Sequence, residues 1–124
     1  KGNIVHIGSI ASGEAIGSLS YNIAKSILHT YVRTLGNDLA KNNVILTGIA
    51  LGGFIAKGNA MQRLKNNKPK EYEKFLKYRL PRGVMGKADE IIPLIEFLCS
   101  SKSGMMSGCV VPMDGGEAKA YNMY

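Results

Sequence analysis

Cysteine is scarce in this chain of 124 residues, limited to Cys99 and Cys109. They stand ten positions apart, with no CxxC pair and no cluster of His or acidic side chains around them, so neither a disulfide framework nor a zinc site is indicated and no metal is expected. Both read as small apolar residues of the interior. No run of 18 apolar residues is present to span a bilayer, no signal peptide opens the chain and no Asn-x-Ser/Thr sequon occurs. A cytoplasmic protein without a membrane partner is the expectation. What is present suffices for a fold, since 45% hydrophobic and 20% charged residues describe one globular domain rather than a disordered tail. The opening stretch "GNIVHI" already looks like a buried strand with no lead-in, so the chain is expected to begin within a larger unit.

Hydrophobic patterning orders the elements. "NIVHIGS" (3 to 9) suits a buried strand. Ser18 or Ser20 can cap a helix running to about Lys41, with Ile23, Ala24, Ile27, Leu28, Tyr31, Val32, Leu35 and Leu39 at helical spacing. That apolar stripe is wider than one sheet can cover, which predicts that the helix also packs on a second layer or subunit. "NNVILTGIAL" (42 to 51) is a turn and a second buried strand, and "LGGFIAKG" a loop. Residues 59 to 80 are helix-prone and rich in Lys, residues 88 to 100 form an amphipathic helix, and "GCVVPMDGG" (108 to 116) is a third strand closed by a Gly pair. Pro93 kinks the helix it sits in or bounds its first turn. Strand, helix, strand, helices, strand is an α/β layout with three parallel strands, roughly 3 to 8, 44 to 50 and 108 to 113, in that order in one sheet.

Within the first helix, "SLSYNIAKSIL" places Tyr21 and Lys25 four positions apart on one face. A phenol titrates near 10, too high for proton exchange at neutral pH, and a fixed ammonium within about 6 Å favours the phenolate. Most Tyr-x-x-x-Lys pairs are nevertheless only an amphipathic phenol beside a solvated ammonium. The surroundings raise its significance. Ser9, at the end of the preceding strand and 12 residues upstream, can return beside Tyr21 through a strand-to-helix connection. Ser, Tyr and Lys then meet above the carboxyl ends of parallel strands, where open α/β sheets bind ligands.

These residues resemble the short-chain dehydrogenase/reductase family. "GNIVHIGSIAS" is similar to that family's active-site serine strand, "SYNIAK" to its Tyr-x-x-x-Lys helix, "VILTGIALGGFI" to the next strand with its Pro-Gly loop, and "RLPRGVMGKADEIIPLIEFLCSSKSGMMSGCVVPMDGG" to its C-terminal stretch. The match covers essentially the whole chain, and the three-residue gap between Tyr and Lys fits the ketoreductase-type branches better than the enoyl reductases. The resemblance implies a Rossmann-like doubly wound parallel sheet, of which this chain would be the C-terminal half. It also implies hydride transfer between NAD or NADP and a carbonyl or alcohol. Tyr21 would be the general acid and base, Ser9 would hydrogen-bond the substrate oxygen, and Lys25 would tune the phenol and hold the nicotinamide ribose. Tyr21, Lys25 and the backbone of Gly52, Gly53 and Ile55 would line the cofactor. Ser12, nine residues before Tyr21, is a weaker candidate for the serine.

Departures from the family pattern matter as much. Gly52 stands where the family usually has proline, so the loop loses a fixed φ. Lys57 stands where a threonine commonly meets the cofactor amide, and the plain expectation is a solvated lysine. No Gly-rich phosphate-binding turn follows a strand, no acidic ribose reader is present, and "GVMGKA" is not a Walker loop. By the resemblance those features and an active-site asparagine belong to an N-terminal half, so the 124 residues alone are expected to be inactive.

Charge is concentrated. Residues 57 to 82 hold nine Lys and Arg against Glu71 and Glu73, a net +7 that equals the charge of the entire chain. In the resembled family the segment, here 56 to 87, forms a mobile lid, and a basic lid would steer an anionic small-molecule substrate; a merely solvated helix face accounts for the same lysines. A pI near 9.5 also fits a nucleic-acid-binding domain, yet the segment interleaves only Tyr72, Phe75 and Tyr78 and no binding module accompanies it, so no nucleic-acid partner is expected. A scaffold protein that kept the fold without catalysis is the other alternative. His6 and His29 lack ligand partners at useful spacing and read as core or surface residues. The tail after the Gly pair ends in two tyrosines and either is disordered or reaches a neighbouring subunit. As in the resembled family, a homodimer or homotetramer is expected.

Overall fold

The computed structural model describes residues 1–119, so the tail expectation for Tyr121 and Tyr124 lies outside the described residues. Three strands, β1 (Gly2–Ser9), β2 (Val44–Leu51) and β5 (Val110–Met113), form a parallel sheet in the order β1-β2-β5, as the apolar runs predict. Helix α1 (Leu19–Ala40) links the first two strands. Its N-terminus is closed by Ser18, whose hydroxyl accepts the Tyr21 amide at 3.3 Å. Asn43 turns the chain into β2 with φ 57°, a left-handed conformation that a short amide side chain tolerates.

The sheet is covered on both faces, which is the doubly wound arrangement. On one face Val32, Leu35 and Leu39 of α1 pack with Ile10, Leu46, Ala50 and Val110. On the other, α4 (Ala88–Cys99) sets Ile91, Leu94, Ile95 and Leu98 against Val5, Ile49 and Leu51. Pro93 lies inside α4 on its exposed side. Glu90 holds the start of that helix, its carboxylate accepting the Lys87 amide at 2.9 Å and pairing with Arg82 at 2.7 Å. These two contacts, the Lys87 amide first and then Arg82, hold the Glu90 carboxyl below its ordinary value.

Several expectations need correction. The loop 51 to 58 contains a two-residue strand, β3 (Phe54–Ile55), paired in parallel with β4 (Gly86–Lys87). The helix-prone segment splits at Pro69 into α2 (Ala60–Asn67) and α3 (Pro69–Arg79), because proline suits the first turn of a new helix better than the interior of an old one. Cys99 is exposed and Cys109 half-buried rather than both interior: in its last turn α4 buries Leu98, and the next position rotates outward. Strand β1 is not fully buried either, since Ile4 and Ile7 stand 44% and 45% exposed on the outermost strand of the sheet. Ile23, Ile27 and Tyr31 are likewise exposed along the outer face of α1. No helix among the described residues is long and apolar enough to cross a membrane.

Candidate active site

Two strands end side by side at Ser9 and Leu51, which are register partners, and a cleft of about 670 Å³ opens above them. Ser9 and Tyr21 both line it, together with Gly52 and Gly53, and the α2–α3 pair closes the far side through Met61, Phe75 and Arg79. Parallel strands place this opening at their carboxyl ends because every right-handed crossover leaves the sheet from that edge.

Ser9 is buried, and its Oγ accepts the Ala11 amide at 3.1 Å. An oxygen that accepts this bond keeps its own proton to donate elsewhere. The connection from Ser9 to Tyr21 is held by Asn22, whose Nδ2 donates to the carbonyls of Ala11 at 2.9 Å and Glu14 at 2.5 Å while its Oδ1 accepts the Gly17 amide at 3.0 Å. One amide side chain thus ties the loop 10–17 to the first turn of α1. Asn22 escaped the sequence reading; the available signal was an Asn near a helix start, where such side chains bind local backbone.

Lys25 does not line the cleft itself. Its Nζ lies 5.6 Å from the centre of the Tyr21 ring and 3.5 Å from the Ile7 carbonyl, one turn below the phenol. Beneath it is buried His29, so close to Gly8 that a Cβ there would come within 2.1 Å of Nε2. Burial first, and the Lys25 charge second, lower the His29 pKa below its usual 6.5. His6 packs edge-on against Tyr31 at 5.4 Å. Ser12 lines a separate depression with Ser26 and His29, away from the Ser9–Tyr21 cleft.

Across the cleft, Gly52 donates to the Met113 carbonyl at 3.1 Å. Gly53 donates to Glu117 Oε2 at 2.6 Å and accepts the Gly86 amide at 3.0 Å, so both of its backbone groups are already engaged. Ile55 sits in the short β3–β4 ladder and packs with Tyr72, Leu80 and Met85 instead of lining the cleft. Lys57 is exposed. Glu117 and Arg79, both on the cleft wall, were missed by the sequence reading because they lie 38 positions apart and only the fold brings them together.

A parallel sheet wrapped by helices on both faces, with a serine at a strand end and a Tyr-x-x-x-Lys helix beside it, defines the class of protein. A family model described as enoyl-(acyl carrier protein) reductase matches residues 1–117, and the chain belongs to the short-chain dehydrogenase/reductase family. Among curated proteins it is 30% identical over 117 residues to a 3-oxoacyl-[acyl-carrier-protein] reductase of Pseudomonas aeruginosa, and 32% identical over 116 residues to the 2-dehydro-3-deoxy-D-gluconate 5-dehydrogenase of Escherichia coli. Each match covers 93% of this chain but 44% of the relative, so the chain spans less than half the length of these proteins. Among solved structures, levodione reductase superimposes with a TM-score of 0.85 at 28% identity, over 98% of this chain and 48% of that one. A 3-oxoacyl (acyl-carrier-protein) reductase from Agrobacterium tumefaciens, solved with NADP bound, gives 0.79 at 25% identity over 92% and 44%. The doubly wound Rossmann-like expectation therefore holds.

Proposed function

We propose that this chain is the C-terminal, catalytic half of an NAD(P)-dependent oxidoreductase that interconverts a carbonyl and an alcohol. The observation that carries this reading is the convergence of Ser9 and Tyr21 on one cleft, with the Lys25 ammonium 5.6 Å from the phenol ring. In the reductive direction Tyr21 Oη gives its proton to the substrate oxygen, and in the oxidative direction it takes that proton back. The Ser9 hydroxyl, with one lone pair already engaged by the Ala11 amide, donates to the same oxygen and holds it in place. Lys25 stabilises negative charge on the phenol oxygen as the proton leaves.

The nicotinamide group, when bound, supplies the hydride, and the protein aligns the two carbons. The Tyr21 ring and Lys25 on one side and the Gly52–Gly53 backbone on the other would hold it, while Ile55, packed behind the loop with Tyr72, Leu80 and Met85, lies off the cleft. Packing within the protein favours glycine at 52 and 53, since a Cβ would meet Asp114 at 2.6 Å or Phe75 at 3.0 Å. A Gly-rich turn for the pyrophosphate is absent from the sequence. An N-terminal half carrying it is part of this proposal, supported by the 44% coverage of the relatives and by the exposed isoleucines of β1.

The α2–α3 pair acts as the lid, and the exposed lysines at 57, 65, 68, 70, 74 and 77 favour an anionic small-molecule substrate. A homodimer or homotetramer would cover Ile23, Ile27 and Tyr31. Three-residue spacing between Tyr21 and Lys25 favours carbonyl over enoyl reduction, in agreement with the reductase and dehydrogenase relatives. The test is Tyr21→Phe in the full-length protein, assayed with NADPH and NADH against a panel of ketones including acidic ones. Turnover should fall by roughly 100-fold or more with cofactor affinity nearly unchanged, because one proton donor is lost and little packing. Retention of most of the activity would make the phenol structural and leave a scaffold role for the fold.

A further inference from the structure

The loop after β2 carries glycine where the resembled family usually has a fixed proline, and the structure shows what occupies the space. A Cβ on Gly52 would meet Asp114 Cβ at 2.6 Å and Glu117 Oε2 at 2.7 Å, and the Gly52 amide donates to Met113, a bond proline cannot make. The turn after β5 takes up that room. Asp114 folds it, its Oδ1 accepting the Gly116 amide at 2.9 Å and its Oδ2 the Ala118 amide at 3.0 Å, while Gly115 and Gly116 adopt φ of 60° and 84°. The result is to aim Glu117 inward.

The side chain of Glu117 is 2% exposed. Its two oxygens serve two different segments: Oε2 accepts the Gly53 amide at 2.6 Å, and Oε1 faces Arg79 Nη2 at 3.3 Å. Arg79 is the last residue of α3, and its side chain is 39% exposed at the cleft wall. A buried carboxylate is strongly disfavoured once its cation leaves. Movement of α3 that withdrew Arg79 would therefore expose or destabilise Glu117 and, with it, the bond to Gly53. Phe75, Met85 and Leu80 hem in Gly53 from the lid side, with closest approaches of 3.0 to 3.3 Å to a Cβ built there.

We propose that Glu117 is a positioning residue that ties the Gly52–Gly53 backbone to Arg79 of the lid, so that the wall beside the nicotinamide and the cover over the substrate hold or release together. This assignment rests on reading the cleft as a dehydrogenase active site, but its mechanical core does not. A carboxylate tether here takes over the stiffening that a proline ring would give, and it couples the stiffness to lid closure.

The experiment uses the full-length protein with Glu117→Gln, Arg79→Met and Arg79→Lys. Hydrogen exchange is followed without cofactor in peptides spanning residues 52–56 and 69–80. Arg79→Met should speed exchange in 52–56 by roughly tenfold, although Arg79 bonds Glu117 rather than that segment, because the charge that keeps Glu117 in place is gone; Arg79→Lys should recover most of the protection. Glu117→Gln, which keeps an acceptor for Gly53, should loosen 69–80 more than 52–56. With NADPH and ketone, Arg79→Met should raise both the cofactor Kd and the substrate KM several-fold with a smaller change in kcat. If Arg79→Met loosened the lid and left 52–56 unchanged, the two segments would be independent and the tether overturned. Should the wild-type protein neither bind a nicotinamide cofactor nor reduce any ketone, the dehydrogenase reading would fail, and the exchange arm would still decide the coupling.

Discussion

Gly36 lies deep in α1, a 22-residue helix, and general helix propensity says that alanine there should stabilise the protein by about 1 kcal/mol. The structure reverses the sign. A Cβ at position 36 would sit 2.5 Å from Gly108 N, 2.6 Å from Gly108 Cα and 3.2 Å from the Leu46 carbonyl oxygen, all backbone atoms that no rotamer change can move aside. Ordinary contact requires Gly108 to retreat by roughly 1 Å. Gly108 is poorly placed to do so. Its φ is 79°, its amide donates to Leu46 at 2.7 Å, and its carbonyl accepts Arg33 Nη1 at 3.1 Å. Ser107 Oγ also donates to the Gly36 carbonyl at 2.7 Å. Overpacking costs about 1–3 kcal/mol and each disturbed bond about 1 kcal/mol. With two bonds weakened and the propensity gain subtracted, Gly36→Ala should destabilise by about 2 to 4 kcal/mol.

Urea unfolding of the full-length protein, followed by far-ultraviolet circular dichroism, measures this directly. At slopes of about 1–3 kcal/mol per molar, the midpoint should fall by roughly 1 M or more. Gly104→Ala is the matched control, because nothing lies within 4 Å of its Cβ position and the midpoint should barely move. A Gly36→Ala protein as stable as the wild type, or more stable, would show that the contact between α1 and the turn before β5 relaxes freely and that propensity decides.

Lys25→Ala in the full-length protein should lower turnover and weaken cofactor binding together, measured by steady-state rates and by nicotinamide fluorescence titration; loss of only one would separate the two roles given to the ammonium. Ile27→Glu, on the exposed face of α1 where Ile27 is 63% exposed, should shift the protein to a smaller species in light scattering while leaving its circular dichroism unchanged; an unaltered mass would take α1 out of the interface. The His29 imidazole, its pKa lowered by burial and then by Lys25, contributes stability that is fully present above about pH 6.5 and lost as pH falls through its folded value, since the unfolded chain takes the proton first. Urea midpoints should therefore decline from pH 7 towards 5, and His29→Gln should flatten that decline; Glu90, also lowered, acts only below about pH 4.5.

Long periodic segments made most of the scaffold legible. The order of three parallel strands and the span of α1 follow from apolar runs and a serine cap, signals that a dozen neighbouring residues repeat. Strands β3 and β4 carry two residues each, too few to show any period, and exist because Gly53 and Gly86 bring two backbones together. The exposure of Cys99 depends on which side of α4 meets the sheet, and a one-residue rotation decides it. Ser9 and Tyr21 came to notice through a resemblance as much as through chemistry, whereas Asn22 and Glu117 show how little a polar side chain announces its partner. Asn22 reaches back 11 positions to Ala11, and Glu117 reaches back 64 positions to Gly53. Nothing local to either residue encodes that reach.

The two walls of the cleft are thereby held by different means. On the side of Ser9 and Tyr21, the hydroxyls stand at the end of a sheet strand and the start of a long helix, and Asn22 fastens the loop between them with three bonds to backbone that carry no net charge. The opposite wall consists of glycine backbone, a two-residue ladder and the end of a charged helix, joined through one buried carboxylate. Reaction at the substrate carbon demands a fixed proton donor, and entry and release demand a wall that can open. Under the proposed dehydrogenase reading, the uncharged fastening beside Tyr21 and the ion pair beside Gly53 would meet those two demands on opposite sides of the same 670 Å³.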